Sequence, residues 1–250
     1  GLAGTVVWRH GAVSDGPDWP PFREVSFPPA QMRIDRRGDG VICLEPVLPL
    51  QDFRPSIPLE LAAQAAAIPD RGYLAERPAP GAAWSHCSYA QMKSGADAVA
   101  QWLLERGITR DRSVLILSGN SIRHAMVKFG AMAARIPVCP LSASYTIGTD
   151  PGRLREAIRL TRPAVIFAEQ AALYARALAG LGPVDALVVT DEPARLGGPA
   201  IPLREVLDSR PDQRVAASIA AIDPDEPCCY MLSSGSTGPP RAVIHTQRMI

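Results

Sequence analysis

From Ser56 onward the chain alternates short apolar runs with longer stretches in which apolar residues recur at helical spacing. Ser56 stands at a helix N-cap position, and the helix it opens runs to about Ile68 and stops at Pro69. Gly72 to Glu76 and Trp84 to Cys87 read as two strands. Ser88-Tyr89-Ala90-Gln91 has the Ser-x-x-Gln spacing of a capping box, in which each polar side chain satisfies the other residue's backbone N–H. It opens a helix whose Ala90, Ala98, Val99, Trp102 and Leu103 share much of one face, so Trp102 is read as core packing; Gly107 ends the helix after Arg106.

Strand and helix patterns then repeat. Ser113 to Leu117 is an apolar strand that leads through Ser118-Gly119-Asn120, with Asn120 as the expected cap, into a helix from Ser121 to about Ala134. Ile136 to Pro140 is the next strand; Asp150 caps a helix with Pro151 at its first position, reaching about Thr161. A strand over Ala164 to Ala168, a helix to about Ala179 and a strand over Ala186 to Val189 complete the repeat. Asp191 to Pro224 is looser, with one or two short helices, and Cys228 to Leu232 is the last strand of the series. Continuous apolar strands separated by helices predict an α/β fold, a parallel sheet covered by helices on both faces.

Residues 1–55 lack this rhythm. They are rich in proline and interrupted by glycine, and read as an irregular arm with Trp8, Trp19, Phe22 and Phe27 as candidate anchors; residues 1–25 also read as a disordered leader. One hairpin is expected, Gln31 to Asp35 against Val41 to Glu45, around Arg37-Gly38-Asp39-Gly40. The predicted organisation is therefore an arm over 1–55 and an α/β region over 56–250.

Composition narrows the function. Across 250 residues, 26 Lys and Arg balance 25 Asp and Glu to a net charge of +1. With no basic block there is no electrostatic case for nucleic acid, and small-molecule chemistry is favoured. No apolar run approaches the ~20 residues of a membrane span, and the N-terminus lacks the features of a signal peptide, so a cytoplasmic protein is expected. The five cysteines are odd in number and form no Cys-x-x-Cys pair, so they read as reduced, mostly buried residues without a metal site. His86, His124 and His245 show no metal or acid–base spacing, and His124 and His245 read as structural.

The chemistry concentrates in Leu232 to Arg241, LSSGSTGPPR, between the apolar runs Cys228 to Leu232 and Ala242 to Ile244. Gly235 and Gly238 permit positive φ and close backbone approach, while Ser233, Ser234, Ser236 and Thr237 add hydroxyl donors to the backbone amides. Pro239 and Pro240 have no N–H, so the donating amides lie in Ser234 to Gly238, and Arg241 adds a permanent positive charge. Such a surface suits a polyphosphate. A flexible linker is the weaker reading, because strand-like runs flank the segment closely. The common nucleotide-binding P-loop does not fit either: the glycines are too close and the lysine is missing, Lys93 and Lys128 being the only lysines in the chain.

With these residues in view, the chain resembles the adenylate-forming superfamily of acyl- and aryl-CoA synthetases, luciferases and peptide-synthetase adenylation domains. Leu232 to Arg241 resembles its signature phosphate loop, with Arg241 where lysine is commoner. Ser88 to Gln91 resembles the family's early helix start, Val114 to Asn120 its strand and turn, and Phe129 to Pro140 its following helix and strand. Thr246-Gln247-Arg248-Met249, together with Leu117-Ser118-Gly119-Asn120-Ser121, is most similar to feruloyl-CoA synthetases and their relatives.

The resemblance implies the N-terminal part of an AMP-forming acid–thiol ligase. A small-molecule carboxylic acid, an aromatic propenoate such as ferulate, would be activated by Mg2+-ATP to an acyl-adenylate and passed to CoA. Ser233, Ser234, Gly235, Ser236, Thr237, Gly238 and Arg241 would hold the β- and γ-phosphates. No residue is assigned as catalytic or metal-binding, because the magnesium motif, ribose site, acyl pocket and catalytic lysine of the family are expected beyond Ile250. On that expectation residues 1–250 do not complete adenylation alone. Two alternatives stand beside this reading: a ligase for fatty or other acids, and a shortened, non-catalytic nucleotide-binding module.

Overall fold

The computed structural model describes residues 6–7, 31–49, 52, 54–77, 79–142, 151–233 and 241–250. They fall into two compact units, Gly1–Phe53 and Arg54–Ile250. In the first unit, β1 (Val6–Val7), β2 (Gln31–Arg36) and β3 (Ile42–Pro46) form an antiparallel sheet in the order β1-β2-β3. The expected hairpin is present, with β2 one residue longer than anticipated and Arg36 opposite Ile42. Its turn is held by the Val41 amide donating to Asp39 Oδ1 at 3.0 Å and by Gly40 at φ +85°, a conformation that favours glycine. The strand β1 was not anticipated, and Trp8, Trp19, Phe22 and Phe27 lie outside the described residues.

The second unit opens with α1 (Ile57–Ala67), followed by the antiparallel pair β4 (Gly72–Glu76) and β5 (Ser85–Ser88) and by α2 (Tyr89–Glu105). Next come β6 (Ser113–Leu117), α3 (Ile122–Ala133), β7 (Val138–Pro140), α4 (Gly152–Thr161), β8 (Pro163–Ala168), α5 (Ala171–Ala179) and β9 (Leu187–Thr190). The chain continues through β10 (Ile201–Pro202), α6 (Leu203–Leu207), α7 (Gln213–Ala220), β11 (Pro227–Ser233) and β12 (Arg241–Thr246). Strands β6 to β12 make one seven-stranded sheet in the order β10-β9-β8-β6-β7-β11-β12, parallel except for β12.

The central strand explains the unbroken apolar run. Val114 and Ile116 point into a core completed by Val99, Leu103, Met132, Val206 and Val215, whereas Leu115 and Leu117 point into the opposite core with Leu154, Ala157 and Tyr174. Both faces of β6 are therefore dry, as period-two alternation between two helical layers requires. Trp102 is buried in the first core, and the Arg106 guanidinium lies 3.8 Å from its ring centroid.

Local polar chemistry sets the helix starts. Ser56 Oγ accepts from the Leu59 amide at 3.3 Å. The box at α2 is complete, with the Gln91 amide donating to Ser88 Oγ at 3.3 Å and the Ser88 amide to Gln91 Oε1 at 2.8 Å. At α3 the cap is Ser121 rather than Asn120: Ser121 has an extended backbone (φ −147°) and its hydroxyl accepts from the His124 amide at 2.9 Å. At α4 Pro151 is the N-cap residue, so the helix starts one residue later than expected, and Asp150 lies outside the described residues. The looser stretch after β9 holds α6 and α7 and, in addition, the unexpected strand β10, which extends the sheet beyond β9.

Candidate functional site

In open parallel sheets ligands bind beyond the carboxyl ends of the strands. Strand β11 lies parallel to β7, pairing Cys229 with Val138, and so ends at that edge. The chain then returns as β12, antiparallel to β11, with Leu232 opposite Ala242 and Ser233 opposite Arg241. The Ser233 hydroxyl donates to the Arg241 carbonyl at 3.3 Å, and both residues are exposed. Of the sequence-predicted site residues, the structure brings Ser233 and Arg241 together at the neck of the connection. Ser234, Gly235, Ser236, Thr237 and Gly238 lie outside the described residues.

The strand behind the neck is anchored by its thiols. Cys228 and Cys229 are buried, and burial, reinforced by the neighbouring Cys229 thiol, pushes Cys228 up to about 12. Cys139 on β7 is likewise pushed up to about 12, first by burial and then by Cys229. These groups are protonated, inert packing atoms at neutral pH. Among the described residues no group of three His, Cys, Asp or Glu is placed to hold a metal ion.

Beyond β12, Gln247 is buried, and its Oε1 accepts from the Ile57 amide at 3.2 Å. Ile57 is the first residue of α1, so Gln247 satisfies one of the amides that a helix start leaves without a partner. Sequence reasoning used Thr246 to Met249 only for a family resemblance and had no physical role for Gln247. The partner lies 190 positions away, and no local pattern announces such a contact.

A second polar group occupies the same sheet edge at the start of α3. Ser118 Oγ and His124 Nδ1 are 2.7 Å apart, and the same nitrogen is 3.2 Å from the Gly119 carbonyl. Burial holds His124 below its ordinary value, and the Lys128 ammonium adds to the effect. The Ser121 hydroxyl donates to Glu169 Oε2 at 2.9 Å, and Glu76 Oε2 accepts from the Ile122 amide at 2.7 Å. Arg123 pairs with Asp191 at 3.0 Å. Beside these groups, β4 and α3 enclose a cleft of about 310 Å³ lined by Tyr73, Glu76, Asn120, His124, Lys128 and Phe129, among others. In the sequence Ser118-Gly119-Asn120 reads as the turn that caps α3; the cleft was missed because Tyr73 and Glu76 come from a distant strand.

Fold and edge together define an α/β domain that presents a Ser- and Gly-rich connection beyond the carboxyl ends of its parallel strands. The chain belongs to the AMP-binding enzyme family, whose model matches residues 61–250. No curated protein matches the chain. Solved structures of the same fold include a benzoate CoA ligase from Burkholderia xenovorans LB400, at 15% identity over 77% of this chain and 35% of that one, with a TM-score of 0.62. MbtA from Mycobacterium smegmatis, in its apo form, is 20% identical over 79% of this chain and 35% of that one, with a TM-score of 0.61. A fatty acyl-adenylate ligase from L. pneumophila, in complex with acyl adenylate and pyrophosphate, is 16% identical over 78% and 31%, with a TM-score of 0.56. At these identities the similarity is one of fold, and the seven-stranded sheet matches the N-terminal domain of adenylate-forming enzymes. The chain spans about half or less of the length of these and other similar structures.

Proposed function

We propose that residues 56–250 are the N-terminal portion of the AMP-binding domain of an AMP-forming acid–thiol ligase, and that Ser233, Ser234, Gly235, Ser236, Thr237, Gly238 and Arg241 bind the β- and γ-phosphates of ATP. The observation that carries this reading is the closed pair Ser233–Arg241 at the carboxyl edge of the sheet, in a chain that belongs to this family. In the reaction, a substrate carboxylate oxygen bonds to the α-phosphorus of ATP and the bond to the bridging oxygen breaks, releasing pyrophosphate. The thiol of CoA then attacks the acyl carbon, loses its proton and expels AMP. The loop takes no proton and forms no bond; its amides, hydroxyls and guanidinium hold the phosphates and offset the charge that grows on the leaving group. Mg2+ enters only as the companion of the polyphosphate, and no residue of the chain is assigned to it.

For the acid we propose an aromatic propenoate. Its support is the similarity of Leu117 to Ser121 and Thr246 to Met249 to feruloyl-CoA synthetases, not a pocket, since Gln247 is engaged with the start of α1. The fold neighbours, which include a ligase named for benzoate and one named for fatty acids, keep the other acids in play. Titration with ATP tests the phosphate reading. Arg241→Ala is expected to weaken binding roughly tenfold, with much of the loss restored in Arg241→Lys. ATP binding that is absent, or indifferent to Arg241→Ala, would overturn it. Acid-dependent AMP formation by the protein carrying this chain, compared for ferulate, benzoate and a fatty acid, assigns the acid class.

A further inference from the structure

Outside its ladder with β11, strand β12 has little to hold it in place. It is the last strand of the sheet, and Val243 and Ile244, which point to opposite faces, are 49% and 55% exposed. The ladder is itself irregular at its base, where the register shifts between Pro227 and Cys229. Register is weakly specified in a strand whose two faces are both partly open. A slip of two residues would keep each side chain on its face, yet it would carry Arg241 about 7 Å along the sheet and away from Ser233.

The base of β12 is fixed instead by the turn that follows it. The Arg248 amide donates to the Pro224 carbonyl at 2.8 Å, and its guanidinium donates to Asp225 Oδ1 at 2.6 Å and Oδ2 at 3.0 Å. That ion pair is exposed and adds little. Gln247 is buried and reaches a different element, its Oε1 accepting from the Ile57 amide at the start of α1. In that first turn the Glu60 amide donates to the Ser56 carbonyl, the Leu59 amide donates to Ser56 Oγ, and Pro58 has no N–H. The Ile57 amide is therefore the one donor that α1 cannot satisfy from its own cap. Ile57 and Leu59 pack against the core that holds Val114 and Ile116, so this amide is a fixed point for the edge strand to be tied to.

We propose that Gln247 is a positioning residue for the phosphate connection: its bond to the start of α1 sets the register of β12 against β11 and so holds Arg241 opposite Ser233. The proposal rests on the phosphate reading. Gln247 touches no phosphate on this account and acts through Arg241.

The test joins titration with Mg2+-ATP to hydrogen exchange of the protein. Gln247→Met, similar in length but without the oxygen, is expected to weaken ATP binding roughly fivefold and to lower the protection of the β12 amides bonded to β11. Gln247→Glu keeps an acceptor for the Ile57 amide and should restore most of the affinity. In an Arg241→Ala background, Gln247→Met should change the affinity by less than about twofold, because the residue it positions is gone. If circular dichroism shows Gln247→Met to be unfolded, Ile57→Pro takes its place in the same comparisons. It deletes the amide from the other partner, at a helix position that accepts proline and after the extended Ser56. ATP binding that is indifferent to loss of this bond, or a loss that adds fully to that of Arg241→Ala, overturns the proposal and leaves the phosphate reading standing. Wild-type protein that binds no ATP overturns the phosphate reading and this proposal with it.

Discussion

Glu169 shows at the scale of one residue how the sheet edge is tuned. Burial pushes its carboxyl above the usual range; Asp191 and Glu76 act in the same direction, while the Ser121 hydrogen bond and Arg123 oppose them. The folded state therefore holds this proton more tightly than the unfolded chain does. The stability it contributes is complete below the ordinary carboxylate range and is lost as pH rises through the raised folded value. Glu169→Gln, which still offers an oxygen to the Ser121 hydroxyl, is expected to raise the melting temperature at neutral pH, and the gain should shrink as the solution is acidified below the ordinary carboxylate range. Equal melting temperatures at neutral pH would count against this account.

Gln247 illustrates what a residue does not reveal before folding. A polar side chain after an apolar run reads as a surface position, yet it is buried because α1 leaves an amide that needs an acceptor. Capping serines at 56 and 88 were legible because their partners lie within three residues, and a cap at the start of α3 was expected on the same ground, at Asn120. Even there, Ser121 rather than the equally plausible Asn120 is the cap, since only one of two adjacent polar residues can occupy the last extended position before the helix. Glu76, which closes the Ile122 amide from 46 positions away, could not be read locally at all.

At the scale of elements, periodicity carried most of the fold. Every strand of the parallel core except the short β10 was legible as an apolar run, and α1 to α5 by their spacing, with α1 and α2 marked also by their start signals. Strand β10 escaped because two residues carry no period, and its partner β9 is what makes it a strand. Helices α2 and α3 cross at Gly130, where an added Cβ would sit 2.5 Å from Val99 Cβ and 2.6 Å from the Ala96 carbonyl oxygen. Backbone cannot yield there as a flexible side chain would. Gly130→Ala is therefore expected to destabilise the fold by roughly 1–3 kcal/mol in chemical denaturation, despite alanine's better helix propensity. Gly107 also has a conformational duty, at φ +63° just after α2, and this one was legible because it follows a helical pattern.

For the whole molecule, the uneven finish of the sheet matters most. Most of the central strands are covered on both faces, but Met231 and Val243, which face each other across β11 and β12, are each about half exposed, and β12 is the last strand of the sheet. An apolar edge of this kind pairs readily with another strand. Concentration-dependent self-association of the isolated chain, followed by sedimentation velocity, is expected to fall in Val243→Lys. The pairing of β11 with β12 was only half legible: the second apolar run was evident, but its direction relative to the sheet follows from tertiary pairing.

That reversal of direction changes the cost of holding an anion. With Ser233 and Arg241 already in register, the two ends of residues 234–240 are tied by the strand ladder before any ligand arrives. The entropy of bringing the ends together, which grows only as the logarithm of loop length, is met during folding rather than at binding. On the proposed phosphate reading, closure of those ends is not charged against a bound polyphosphate, and more of the interaction energy remains available as affinity. Lengthening the connection between those two fixed points would tax binding while leaving the melting temperature of the sheet almost unchanged.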